Sequence, residues 1–165
     1  MEDYEKTGVV TLDYLEKLGN VPSEERLKKG PVAMTECVQD IPCNPCFEVC
    51  PVKAIEMPEI NHRPIVNFDK CIGCTLCMQV CPGLAIFMLD KSKEKPRVTI
   101  PYELLPMPER GDSVVLIDRN GNDMGEGKVV GLLFPDKKYR SALVTVEVDD
   151  ERLLYEARNL RVVGK

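Results

Sequence analysis

Apolar residues recur along this chain with two different periods, and the change from one to the other divides it. Leu12, Leu15 and Leu18 fall three apart behind Thr11, which predicts a short helix capped by that threonine and ended by Gly19 and Pro22. A second short helix is expected from Ser23 to Lys29, where Glu24, Glu25 and Arg26 follow the cap and Gly30-Pro31 is the stop. Toward the other end the pattern is that of strands, at residues 113–118 (SVVLID), 128–134 (KVVGLLF) and 142–148 (ALVTVEV), with shorter runs at 153–155 and 160–163. After the first of these comes Arg119-Asn120-Gly121-Asn122, and Asn-Gly between apolar runs is a strong hairpin signal.

These periods divide the chain into segments. Residues 1–33 read as an N-terminal helical extension. Residues 109–165, with short and closely spaced strands, read as a small SH3-like β-barrel. Between 91 and 108 the charged run KSKEK gives way to Pro96, Pro101, Pro106 and Pro108 around a strand-like RVTI, which predicts an extended connector over the surface. The remaining segment, 34–90, carries the chemistry. No apolar run is long enough to span a bilayer.

All eight cysteines lie between Cys37 and Cys81, in two groups that each end in Cys-Pro. The second group is Cys71, Cys74, Cys77, Cys81 and Pro82, and the first is Cys37, Cys43, Cys46, Cys50 and Pro51, which differs only in a longer first spacing. Two residues between successive cysteines let a tight loop set three thiolates on three corners of one cubane, and the fourth must come from elsewhere. A shift of 31 residues superimposes CNPCFEVCPVKAIEM on CTLCMQVCPGLAIFM, matching Val49 with Val80, Ala54 with Ala85, Ile55 with Ile86 and Met57 with Met88 as well as the cysteines and prolines. Such self-similarity marks a repeated unit, here a cluster loop, a short helix and a strand.

On these motifs residues 34–90 resemble the bacterial two-[4Fe–4S] ferredoxin family, of which the C-x2-C-x2-C-x3-C-P run is the signature. The resemblance implies that the cysteine before each proline ligates the partner cluster. One cluster is then held by Cys37, Cys43, Cys46 and Cys81, and the other by Cys71, Cys74, Cys77 and Cys50. Pro51 and Pro82 are expected in the first turn of a short helix. Gly73 is expected to let the second loop approach closely, and Ile41, Ile55, Ile72, Val80 and Ile86 are candidates for the apolar shell. The 31-residue shift places Asp40, not Cys37, opposite Cys71, so both compete for one corner of the first cluster. A soft thiolate suits iron–sulfur ligation better than a carboxylate, which favours Cys37 and leaves Asp40 as a turn residue.

Composition narrows the function. The formal charge is −5 and both halves of the chain are mildly acidic, which argues against a nucleic-acid binder. Four Phe, five Tyr and no Trp leave few large side chains for a core, as expected of a chain partly held together by metal. The N-terminus MEDYEKTGVV lacks a basic and then apolar leader, so a disulfide framework is disfavoured and a cytoplasmic location is expected. Zinc knuckles need no third cysteine two residues on followed by C-x3-C-P. His62 is expected to be a surface loop residue.

The expected protein is α+β and not itself an enzyme: an electron-transfer subunit with two [4Fe–4S] clusters. The N-terminal extension is expected to wrap over one cluster, and the β module to dock a partner. The stretch from Glu36 to Cys46 resembles that of iron–sulfur subunits serving FAD/NAD-linked dehydrogenase complexes, which implies a flavoprotein partner of the amino-acid or glycerol-3-phosphate type. The alternatives are a freestanding soluble ferredoxin and a zinc-binding structural adaptor.

Overall fold

The sheet is organised by two strands that are buried on both faces. In the computed structural model, which describes residues 3–134 and 141–164, β1 (Val32–Thr35) pairs antiparallel with β4 (Ile86–Asp90), and every residue of both is buried. VAMT and IFMLD lack polar alternation because each face has its own core to fill. Val32, Met34, Phe87 and Leu89 point into one apolar cluster, while Ala33, Ile86 and Met88 point into a second that contains Cys46, Cys77, Ile55, Val66 and Met78. The cysteine loops therefore lie on one face of the sheet, and the larger core on the other.

That larger core joins the ends of the chain. Thr11 caps α2 (Leu12–Lys17), its side chain accepting from the Tyr14 N–H, and Ser23 caps α3 (Glu24–Leu27) by accepting from Arg26 N–H. A short α1 (Asp3–Thr7) precedes them. Leu15 and Leu27 are fully buried against side chains of the sheet, worth roughly 1.5–3 kcal/mol each. Residues 91–108 do not form the expected surface connector. Arg97–Tyr102 is β5, a strand inside the sheet that pairs with β4 on one side and with β8 (Ala142–Glu147) on the other. Pro101 is tolerated there because β4 pairs only with residues 97–99, so β5 is locally an edge where a missing N–H does no harm.

The Asn-Gly signal marks a real hairpin. β6 (Ser113–Ile117) turns into β7 (Asp123–Leu133) through residues 118–122, with Asp118 Oδ1 accepting from the N–H groups of Asn120 and Asn122, and Gly121 at φ +85°. β7 begins five residues before the expected strand, because the polar, glycine-rich DMGEG pairs with β6 without an apolar pattern. The expected strand at 153–155 is instead α6 (Glu151–Glu156), for which Asp150 is the cap and Leu153, Leu154 and Ala157 form the buried face. β9 (Asn159–Val162) pairs with β6.

The barrel expected over 109–165 does not close. Among the described residues seven of the strands form one antiparallel sheet in the order β1-β4-β5-β8-β7-β6-β9, with β1 and β9 as its edges. Since β8 pairs with β5 as well as β7, the C-terminal strands continue the sheet begun by β1 and β4. Side chains instead of a hydrogen-bond ladder link the two ends: Arg158, just before β9, reaches Glu36 and Met34 at the end of β1. Among the described residues no helix is long and apolar enough to cross a membrane.

Candidate metal centres

The sequence repeat is also a repeat of geometry. α4 (Pro45–Val49) and α5 (Leu76–Val80) start and end 31 residues apart, and each ends on a cysteine, Cys50 or Cys81, whose φ and ψ agree within a few degrees, −70° and 108° against −73° and 109°. Lys53 (φ +49°) and Leu84 (φ +51°) occupy the left-handed region at equivalent places. This turn folds the next N–H back onto the cysteine: Ala54 N–H donates to Cys50 Sγ at 3.2 Å, and Ala85 N–H to Cys81 Sγ at 3.4 Å. Pro51 and Pro82 do not open helices, as expected above, but follow them. A proline there stops the helix, and it is Pro45 that sits in the first turn of one. The units differ in their strands, since β2 (Ile55–Glu56) pairs only with β3 (Ile65–Val66) whereas β4 lies within the large sheet.

The thiols fall into two neighbourhoods. Cys50, Cys71, Cys74 and Cys77 line one recess floored by Ala33 and Met88. Burial pushes the Cys77 thiol up to about 12, with Cys71, Cys74 and then Cys46 adding to the shift. Burial likewise pushes Cys46 up to about 11, with Cys81 the largest charge neighbour ahead of Cys37 and Cys43, and it raises Cys37, beside Cys81 and Cys43. Cys81 is thus a charge neighbour of Cys37 and Cys46 of the first motif. Thiols this reluctant to ionise must give up protons when metal binds.

The residues present suit an iron–sulfur centre: every donor is a soft thiol, and backbone N–H groups reach Cys50, Cys81 and also Cys71, to whose sulfur Ala33 N–H donates at 3.5 Å. Of the shell candidates, Ile55 and Ile86 are buried and Val80 half-buried, while Ile41 and Ile72 are exposed. Met78, Val66, Ala33 and Met88 complete the packing. Residues 36–85 match the 4Fe-4S dicluster domain family. That stretch contains all eight cysteines, and with their pattern it implies two [4Fe–4S] clusters and electron transfer as the function of this part of the chain. Comparison of the chain with curated proteins and with solved structures finds no match.

Asp40 is exposed and its Oδ1 accepts from Arg63 N–H at 3.1 Å, tying the long first loop to the loop that follows β2. His62 is exposed beside it. Gly73 has φ +67°, and a Cβ there would lie 2.6 Å from Pro31 O and Pro31 Cγ, so the close approach it permits is to the N-terminal extension. The sequence reading missed two charged residues that hold the loops. Glu36, next to Cys37, is gripped by Arg119 and Arg158, and buried Arg26 donates to Cys71 O. Neither is a cluster ligand; the side-chain partners of Arg26 lie 4 to 45 positions away, and those of Glu36 lie 83 and 122 positions away.

Proposed function

We propose that this protein is the electron-transfer subunit of an oxidoreductase complex, passing electrons between two [4Fe–4S] clusters and the flavin of a partner dehydrogenase of the amino-acid or glycerol-3-phosphate type. Cys37, Cys43, Cys46 and Cys81 hold one cluster; Cys71, Cys74, Cys77 and Cys50 hold the other. The observation that best supports a crossed assignment is that Cys50 lines the recess of the second motif, with Cys81 a charge neighbour of Cys46 and Cys37 of the first. Support for a partner comes from the additions to the dicluster region and from exposed Leu104, Leu105, Leu133 and Phe134 near the ends of β5 and β7, which flank β8 on its two sides. The described part of residues 109–165 is then an open-sheet docking surface; Lys137, Lys138 and Arg140 lie outside the described residues.

Anaerobically purified protein should be brown, contain about eight iron and eight sulfide per chain, and copurify with a flavoprotein in fixed ratio. Colourless protein carrying zinc would overturn the cluster reading, and full clusters without flavin would make the chain a free carrier. At the contested corner, Cys37→Ala should leave one iron labile and convert the first cluster to a three-iron form visible by EPR. Asp40→Ala should lose only the tie to Arg63. The reverse pattern, with Asp40→Ala damaging the cluster and Cys37→Ala silent, would make the carboxylate the ligand.

A further inference from the structure

Among the described residues Arg26 is a buried cation without a counter-charge. Its residue is 9% exposed, and its guanidinium donates only to carbonyl oxygens: Nε to Phe68 O at 2.6 Å, Nη1 to Gly30 O at 3.0 Å, and Nη2 to Cys71 O at 2.6 Å and Pro31 O at 3.4 Å. Among the described residues no carboxylate pairs with it. The carbonyls satisfy its donors, but their dipoles do not cancel its charge. Residues near this corner reinforce the placement: Gly73 packs on Pro31, and β1 supplies the N–H that reaches Cys71 Sγ. Among the described residues the first motif has no equivalent. The ionic group beside Cys37 holds two arginines, Arg119 and Arg158, against two carboxylates, Glu36 and Glu156, and is neutral as a unit.

We propose that Arg26 raises the reduction potential of the cluster held by Cys50, Cys71, Cys74 and Cys77 above that of its neighbour, so that a single electron delivered to the pair rests on the Cys71 side. This rests on the ligand sets proposed above. Reduction adds one negative charge to a cluster and moves no proton on Arg26. A fixed positive charge bonded to the carbonyl of one ligand, in a site shielded from water, therefore favours the reduced form of the nearer cluster. The charge comes from the N-terminal extension, which on this reading tunes the second cluster as well as covering the sheet.

The test is an EPR-monitored redox titration of the full-length, iron-loaded protein. The wild type should show two separate one-electron waves. Arg26→Gln should lower the reduced-to-oxidised ratio of the higher wave about tenfold at fixed potential, a move of about 59 mV to more negative potential, and leave the other wave in place. Arg26→Lys keeps the charge but cannot reproduce the fork of bonds, and should move the higher wave less than about threefold in ratio. Should Arg26→Gln fail to retain its second cluster, the Arg26→Lys titration decides, a larger move than that overturning the proposal. It is also overturned by a single unsplit wave in the wild type, by an Arg26→Gln protein whose waves stay put or shift together, or by Arg26→Lys moving as far as Arg26→Gln. A wild type without iron and sulfide would remove the ligand reading itself, which metal analysis shows before any titration.

Discussion

Removal of iron by a chelator should melt residues 37–85 while leaving the strands β5–β9 folded. The elements between Cys37 and Cys81 cannot stand alone: two helices of five residues and two strands of two residues fall far below the length at which local structure is stable. Their apolar cluster includes Cys46 and Cys77 among its buried members, with Cys50, Cys71 and Cys81 packed against it. For such a region the free energy of metal binding is the free energy of folding. The opposite core needs no cysteine among its fully buried members, since it draws Leu15 and Leu27 from the extension and Val98, Ile100, Val114, Leu116, Val144, Val146 and Leu160 from the sheet. Hydrogen exchange read residue by residue should show the amides of Ala54, Met78 and Ala85 losing protection about a hundredfold or more, while those of Val144 and Val146 keep theirs. Unchanged protection at Ala54 and Ala85 after complete loss of iron would show that metal and folding are not coupled.

What was legible in advance was whatever short stretches of chain decide. Thr11 and Ser23 cap their helices through N–H groups three residues on, the Asn-Gly turn closes on Asp118, and the cysteine repeat appears as matched turns at Lys53 and Leu84. Local signals mislead where pairing across the sheet overrules them. Pro96, Pro101 and Pro106 suggested a surface segment, yet Val98, Ile100 and Tyr102 are buried because β8 lies alongside to pair with them. The apolar run near Leu153 fits a strand, yet Asp150 and Glu151 before it carry a helix-start signal, and the helix forms. Strand spacing suggests a barrel but cannot reveal that β8 pairs with β5 as its second neighbour. Arg26 and Glu36 escaped notice because only the folded chain brings Cys71 to one and Arg158 to the other.

Glu36 is where the second large effect is expected. Arg119 reaches it from the β6–β7 turn with Nη2 at 2.5 Å and Nε at 3.3 Å, Arg158 reaches it with Nε at 2.5 Å, and Glu156 also bonds Arg119. The arginine side chains are each 6% exposed and that of Glu36 is 11% exposed, so water does little to stabilise their charges. Burial pushes Arg158 down to about 10, with Arg119 adding to the shift and Glu36 opposing it. The group as a whole therefore contributes little net stability, because desolvation offsets attraction, but removing one member is another matter. Glu36→Ala leaves buried Arg158 without its bonded carboxylate and two guanidinium groups sharing Glu156 alone, and should cost about 3–5 kcal/mol in urea unfolding of the iron-loaded protein. The same change frees the backbone next to Cys37, so iron should leave the first cluster sooner than the second. Replacing Glu36, Arg119, Arg158 and Glu156 together by Leu, Met, Met and Gln should recover most of the lost stability, since no unpaired charge then remains at the join. A Glu36→Ala cost below about 1 kcal/mol, the range of surface ion pairs, would mean that this group is solvated and does not hold the first cluster loop to the sheet.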